Sequence, residues 1–244
     1  HTQFPDYVAK RVALFAPFLA ASIKNLCIDS LRKFHNRANG ILIATKSLED
    51  ELKGYGYTVP VYPFTRGIDM DVFKPAPATL FGDLPRPVAL YVGRVAIEKN
   101  LEDFLDMAWD GSKVIVGDGP DLESLKQKYP DAVFAGRQQG QELAAHYQSA
   151  DIFIFPSKTD TFGIVLIEAL SCGLPVAAYD VTGPKDIITA PHLGALENDD
   201  LGKAAQRALA IEEDKQYRHD HVRQYYTWEI ATKQFIDAVE DAER

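Results

Sequence analysis

The segment SKTDTFGIVLIEALSCGLP, residues 157–175, holds two carboxylates, Asp160 and Glu168, on either side of Gly163 in an otherwise apolar run. Glu168 sits among Ile164, Val165, Leu166, Ile167, Ala169 and Leu170, where no solvent-facing stripe can be drawn. A buried carboxylate is costly unless something donates to it, and a sugar diol is a suitable donor pair. The helix that starts near Gly163 offers the amides of Thr161, Phe162 and Gly163 to an anion. Two other clusters carry glycine beside charge: Gly93, Arg94 and Lys99 in GRVAIEKN, and Gly117, Asp118 and Gly119 in VGDGP. Two cations and a helix N-terminus, without an acid cluster for a metal, describe a pocket for a diphosphate. Taken singly, Arg94 and Lys99 also read as solvated loop charges and VGDGP as an ordinary turn; the joint pattern favours function.

These residues need a scaffold that gathers strand ends. From about residue 87, short runs rich in Val, Ile and Phe alternate with amphipathic stretches. PVALYVG precedes NLEDFLDMA, SKVIVG precedes DLESLKQKY, AVFAG precedes GQELAAHYQSA, and DIFIFP, PVAAYD and GPKDIIT follow. Continuously apolar strands bounded by Gly and Pro predict a parallel sheet covered on both faces, a doubly wound α/β domain. Ligands of such sheets bind beyond the carboxyl ends of the strands, where all three clusters fall. Arg137, just after AVFAG, joins the candidates for the same pocket, as does Ile164. Upstream, a long helix through LAASIKNLCIDSLRKFH and two short βα pieces predict the end of another Rossmann-like domain. The expected division is 1–72 for that remnant, 73–87 for a Pro-rich linker, 88–225 for the doubly wound domain that carries the candidate pocket, and 226–244 for a last helix packing back across the seam. Trp228, Ile230, Phe235, Ile236 and Val239 stand at helical spacing in that helix.

Composition narrows the partners. A net charge of −9 over 244 residues argues against general nucleic-acid binding. Between Tyr7 and Lys46, however, seven Lys/Arg face a single acid, Asp29, so this apolar and basic stretch would suit an anionic membrane surface or a solvated helix face. The two cysteines, Cys27 and Cys172, lie far apart in apolar segments without metal-type spacing, which fits a reducing cytoplasm. No run approaches about 18 uninterrupted apolar residues. The Asp69–Asp71 pair in DMD resembles a metal-binding motif but lies in a loop, and His219 and His221 in HDH point to different faces of a helix, so both sets are expected to be solvated. No metal or other cofactor is expected.

GRVAIEKN, VGDGP, FPSKTDTFGIVLIEALSCGLPVAAYDVTGP and RGIDMDVFKP, in this order and spacing, resemble the retaining GT-B glycosyltransferases of glycosyltransferase family 4, which includes bacterial α-mannosyltransferases and sucrose-phosphate synthases. HTQFPDYV and FHNRANGILIATKSLEDEL further resemble its GDP-mannose-dependent and glycolipid-forming subgroup. The resemblance implies transfer of a hexosyl group, mannosyl first among candidates, from a nucleoside-diphosphate sugar to a lipid or glycan acceptor, without metal and with retention. It implies that Arg94 and Lys99 neutralise the donor diphosphate, that Glu168 holds the ribose and that Asp160 touches the donor sugar. Asp160 stands where the family's E-x7-E pattern has Glu, which shortens its reach. His1 matches the acceptor-side histidine near the reacting sugar. The sequence opens at HTQFP without Met, and the rest of the acceptor domain is expected upstream. Rival readings are a nucleotide-sugar epimerase of the same fold, for which no acid/base pair is evident, and a non-catalytic nucleotide-sugar-binding module.

Overall fold

The computed structural model describes residues 4–13, 15–212 and 214–243. The chain begins with helices α1 (Phe4–Ala13) and α2 (Pro17–His35), then strand β1 (Ile41–Ile43), helix α3 (Lys46–Gly54) and strand β2 (Val61–Pro63). Pro17 opens α2, where its missing N–H costs nothing. Thr45 caps α3, its hydroxyl accepting from the Leu48 N–H at 3.4 Å. β1 and β2 pair in parallel with Ile41 opposite Val61, so this lobe is one βαβ unit. Residues 69–87 then carry no helix or strand.

The rest of the chain builds a six-stranded parallel sheet from β3 (Val88–Val92), β4 (Ser112–Val116), β5 (Val133–Gly136), β6 (Ile152–Phe155), β7 (Val176–Tyr179) and β8 (Gly194–Glu197). Its helices are α4 (Leu101–Asp106), α5 (Leu122–Lys128), α6 (Gly140–Ser149), α7 (Ile164–Ser171), α8 (Pro184–Ile187) and α9 (Leu201–Leu209). The pleat sends alternate residues of β3 to opposite faces. Val88, Leu90 and Val92 join Tyr147, Leu166, Ile167 and Leu170 in one core, whereas Ala89 and Tyr91 join Phe104, Leu105 and Ala204 in another. Burial on both faces explains why these strands are apolar throughout rather than alternating.

The spatial order is β5-β4-β3-β6-β7-β8. Connections leaving β3 run one way across the sheet and those leaving β6 run the other, which opens a crevice between the carboxyl ends of β3 and β6. That crevice faces the segments after Val92 and after Phe155.

Two helices close the chain, α10 (Lys215–Tyr225) and α11 (Trp228–Ala242). α11 returns to the first lobe: Gln234 Oε1 accepts from the Thr65 N–H at 2.8 Å, Tyr62 donates to Asp241 at 2.9 Å, and Phe64 lies against Phe235. Of the apolar stripe on α11, Trp228, Phe235, Ile236 and Val239 stay exposed, and Ala231 and Ala238 are the buried residues of the helix. Small residues let α11 approach the lobe, and the larger ones stay at its flank. One expectation is corrected. His219 is not solvated: it is buried, with Nδ1 2.8 Å from the Ser171 carbonyl and Nε2 2.9 Å from Arg223, because α10 packs on α7. His221 is half-buried, and burial followed by the charge of His192 pushes its pKa below the usual value. Asp69 turns its carboxylate inward to accept from the Asp71 and Val72 N–H groups, a loop-stabilising role.

Candidate functional site

The crevice holds a cavity of about 740 Å³ lined by Gly93, Arg94, Lys99, Asp160, Gly163 and Ile164, among others. It shares Gly93 and Arg94 with a second cavity of about 420 Å³, lined also by Gly117, Asp118, Gly119 and Arg137. The segments that make both are locked by backbone hydrogen bonds: the Val95 N–H donates to Asp118 at 2.9 Å, and the Gly117 N–H donates to Gly136 at 2.8 Å. A side chain at Gly117 is not tolerated, since a Cβ there would lie 1.8 Å from the Gly93 carbonyl oxygen. The first two strand-end loops therefore touch backbone to backbone.

After β6 the chain turns at Asp160–Gly163 into α7. Gly163 has φ +87°, a left-handed conformation that favours glycine, and caps the helix without a side chain. Among the described residues, no acceptor takes the N–H of Thr161, Phe162 or Gly163. No acidic residue occupies the first turn of α7, so its positive end faces the cavity uncompensated. Phe162 packs its ring on Tyr226 at 5.9 Å, and neither Thr161 nor Phe162 lines this cavity, so at the start of α7 Gly163 is the residue of the three that reaches it.

The cations differ. Arg94 is 64% exposed, with Nη1 3.6 Å from Glu98. Lys99 is held: its Nζ donates to both oxygens of Asp160, at 2.6 and 2.8 Å, and the two side chains are only 21% and 15% exposed. Asn100, left-handed at φ 51°, donates from Nδ2 to the Pro156 carbonyl at 3.3 Å and ties this loop to the end of β6.

Glu168 does not line either cavity. Its Oε2 accepts from the fully buried Tyr147 hydroxyl at 2.8 Å, and among the described residues no donor reaches Oε1. Burial raises its pKa above the usual carboxylate value, opposed by the Tyr147 hydrogen bond. Burial also raises Tyr147, with the Glu168 charge adding to it, so the phenol keeps its proton and remains a donor. His1 lies outside the described residues. Among the described residues there is no group of three or more His, Cys, Asp or Glu that could hold a metal.

Sequence reasoning missed Tyr147, Tyr91 and the particular contacts of Thr45, Ser47 and Asp186 at the seam. Tyr91 donates to the Arg94 carbonyl at 2.8 Å and so shapes the loop that carries both cations. At the seam, Asp186 accepts from Ser47 N–H at 2.9 Å and from Gly183 N–H at 3.3 Å, while Thr45 donates to the Thr161 carbonyl at 3.3 Å. The first lobe is thus fastened to the Asp160–Gly163 turn itself. No local signal announces these partners, except that Asn100 belongs to a residue type suited to left-handed backbone.

The arrangement of sheet, crossovers and return helix is an α/β fold of the GT-B type. Residues 79–228 match the family model described as "Glycosyl transferases group 1", and the chain belongs to that family. The chain is 36% identical over 173 residues to a GDP-mannose-dependent alpha-mannosyltransferase of Mycobacterium tuberculosis, covering 68% of this chain and 45% of the relative. It is 34% identical over 179 residues to a sulfoquinovosyl transferase of Arabidopsis thaliana, covering 67% of this chain and 35% of that one. It spans less than half the length of either relative. Among solved structures, a sucrose-phosphate synthase from Thermosynechococcus elongatus superposes with a TM-score of 0.72 at 21% identity, over 87% of this chain and 60% of the other. HepE from Anabaena in complex with UDP and glucose also gives a TM-score of 0.72, at 16% identity over 88% and 67% of the two chains.

Proposed function

We propose that this chain forms the donor half of a retaining glycosyltransferase that moves a hexosyl group, mannosyl in the reading preferred here, from a nucleoside-diphosphate sugar to a lipid or glycan acceptor. One observation carries the reading: Arg94 and Lys99 face the uncompensated N-terminus of α7 across the crevice between β3 and β6. A leaving diphosphate develops negative charge there, and these cations and amides lie ready to stabilise it. The proposed mechanism calls on no metal, because side chains and backbone dipoles supply the positive field. The GDP-mannose named for several relatives supports a mannosyl donor, and the shared cavity past Gly117 and Arg137 gives the nucleoside room. Glu168 stands outside both cavities, so its proposed contact with the ribose hydroxyls requires the seated nucleotide to open a path to its unclaimed Oε1.

The test is isothermal calorimetry with GDP, UDP, GDP-mannose and UDP-glucose, followed by transfer of labelled mannose to lipid extracts. Selective binding that is lost in Glu168→Ala supports the donor site. Failure of the chain to bind any nucleotide overturns it.

The acceptor side of the proposal is docking on anionic lipid at the cytoplasmic face of a membrane. Phe15, Phe18, Leu26 and Phe34 of the α1–α2 region are 90%, 80%, 66% and 74% exposed, and Phe34 falls between Lys33 and Arg37 in the sequence. Exposed apolar surface interleaved with positive charge suits an anionic headgroup layer. Among the described residues no helix is long and apolar enough to cross a membrane. Co-sedimentation with phosphatidylglycerol vesicles, absent with phosphatidylcholine vesicles, is the expected result.

A further inference from the structure

We propose that Lys99 and Asp160 form an exchangeable ion pair that makes tight diphosphate binding conditional on an attached sugar. The inference rests on the donor-site reading above and adds a selection rule to it. Lys99 gives its ammonium to both oxygens of Asp160, and no other described residue donates to that carboxylate. The pair is shielded from water, unlike the Arg94–Glu98 contact at 3.6 Å with Arg94 largely exposed. A diphosphate entering the cavity must draw Lys99 toward itself. Asp160 is then left as an unpaired carboxylate beside an anion, which is unfavourable in a partly desolvated site.

What happens next depends on the ligand. The phosphate oxygens of a bare nucleoside diphosphate are acceptors and offer Asp160 nothing. A hexosyl group on the terminal phosphate brings hydroxyl donors, so the carboxylate exchanges Lys99 for sugar hydroxyls and remains hydrogen-bonded. Specificity is a difference of affinities, and here the repulsion between Asp160 and the bare diphosphate supplies it. The donor is therefore preferred over the spent nucleotide, which shares every other contact, and product leaves readily after transfer.

The experiment is calorimetric titration of the chain and its Asp160→Asn variant with UDP, GDP, UDP-glucose and GDP-mannose. The native chain is expected to favour the sugar-bearing form of its nucleotide about tenfold over the bare form. Asp160→Asn, nearly isosteric but uncharged, is expected to bind the bare nucleotide about tenfold more tightly than the native chain and to lose that preference. A bare-nucleotide affinity that is unchanged or weaker in the variant overturns the exchange: Asp160 then only reads sugar or only orients Lys99. Such a result leaves the donor site standing, whereas no binding by either protein overturns both.

Discussion

The six-stranded half and the two-stranded lobe use the same βαβ unit to different ends. In the former, every residue of β3, β6 and β7 is buried, and helices cover both faces. In the latter, Ile43 is the only buried residue of β1, no residue of β2 or α3 is buried, and α2 buries only Ile28. A two-stranded sheet is marginal in water, so the lobe takes its order from what it touches: α11 behind it, and Asp186 and Thr161 across the seam. The sheet supports itself and supplies a fixed frame for ligand groups. The lobe is a wall fastened to that frame at the turn that starts α7.

Substitutions can break or sharpen this contrast. The largest effect is expected in the frame, where Phe153→Ala, fully buried in β6, should cost about 3–5 kcal/mol in thermal or urea unfolding; a small loss would mean that the sheet is not the stabilising unit. Lys99→Ala should weaken nucleotide binding about 100-fold by calorimetry, since a charge-assisted contact to phosphate is worth about 2–3 kcal/mol, and should also lower stability because it strands the Asp160 carboxylate. At the fastening, Asp186→Ala leaves the Ser47 and Gly183 N–H groups without their acceptor and should cost about 1–2 kcal/mol. Hydrogen exchange should then quicken at Ser47 and α3 but not in β3, and equal quickening in both would erase the distinction between wall and frame.

Glu168 gives a smaller effect of opposite sign. Its pKa is raised in the folded state, so its stabilising contribution is full below the unfolded value near 4.5 and is lost as pH rises through the folded value. The empty chain should gain stability as pH falls from neutral toward 5. Glu168→Gln should flatten that slope and stabilise the chain at pH 7 by about 1 kcal/mol, while weakening nucleotide binding. Phe18→Ser, in the exposed part of the lobe, should change the unfolding free energy by less than about 0.5 kcal/mol and reduce vesicle binding.

The parallel sheet was legible because its strands are apolar on both faces, and the crevice because glycine and charge follow Val92, Val116 and Phe155. Arg94, Lys99, Asp160 and Gly163 line one cavity as their positions at strand ends suggested. The pairing of Lys99 with Asp160 was not legible: the residues stand 61 positions apart, and only the adjacency of β3 and β6 brings them together. Tyr147 was hidden for the same reason, since α6 and α7 meet through the fold rather than through any periodicity. His219 misled because its two-residue spacing from His221 says which face it takes but not what packs there. Helical spacing marks the apolar face of α11 without saying how much of it a small lobe can cover.

The return of α11 also bears on how the molecule assembles. Asn39, Tyr62 and Thr65 bond to Ala242, Asp241 and Gln234, across separations of 203, 179 and 169 residues. During synthesis the first lobe leaves the ribosome long before these partners exist, and closing such long loops is slow. This lobe, translated before the sheet, is therefore completed after the sheet has formed beside it.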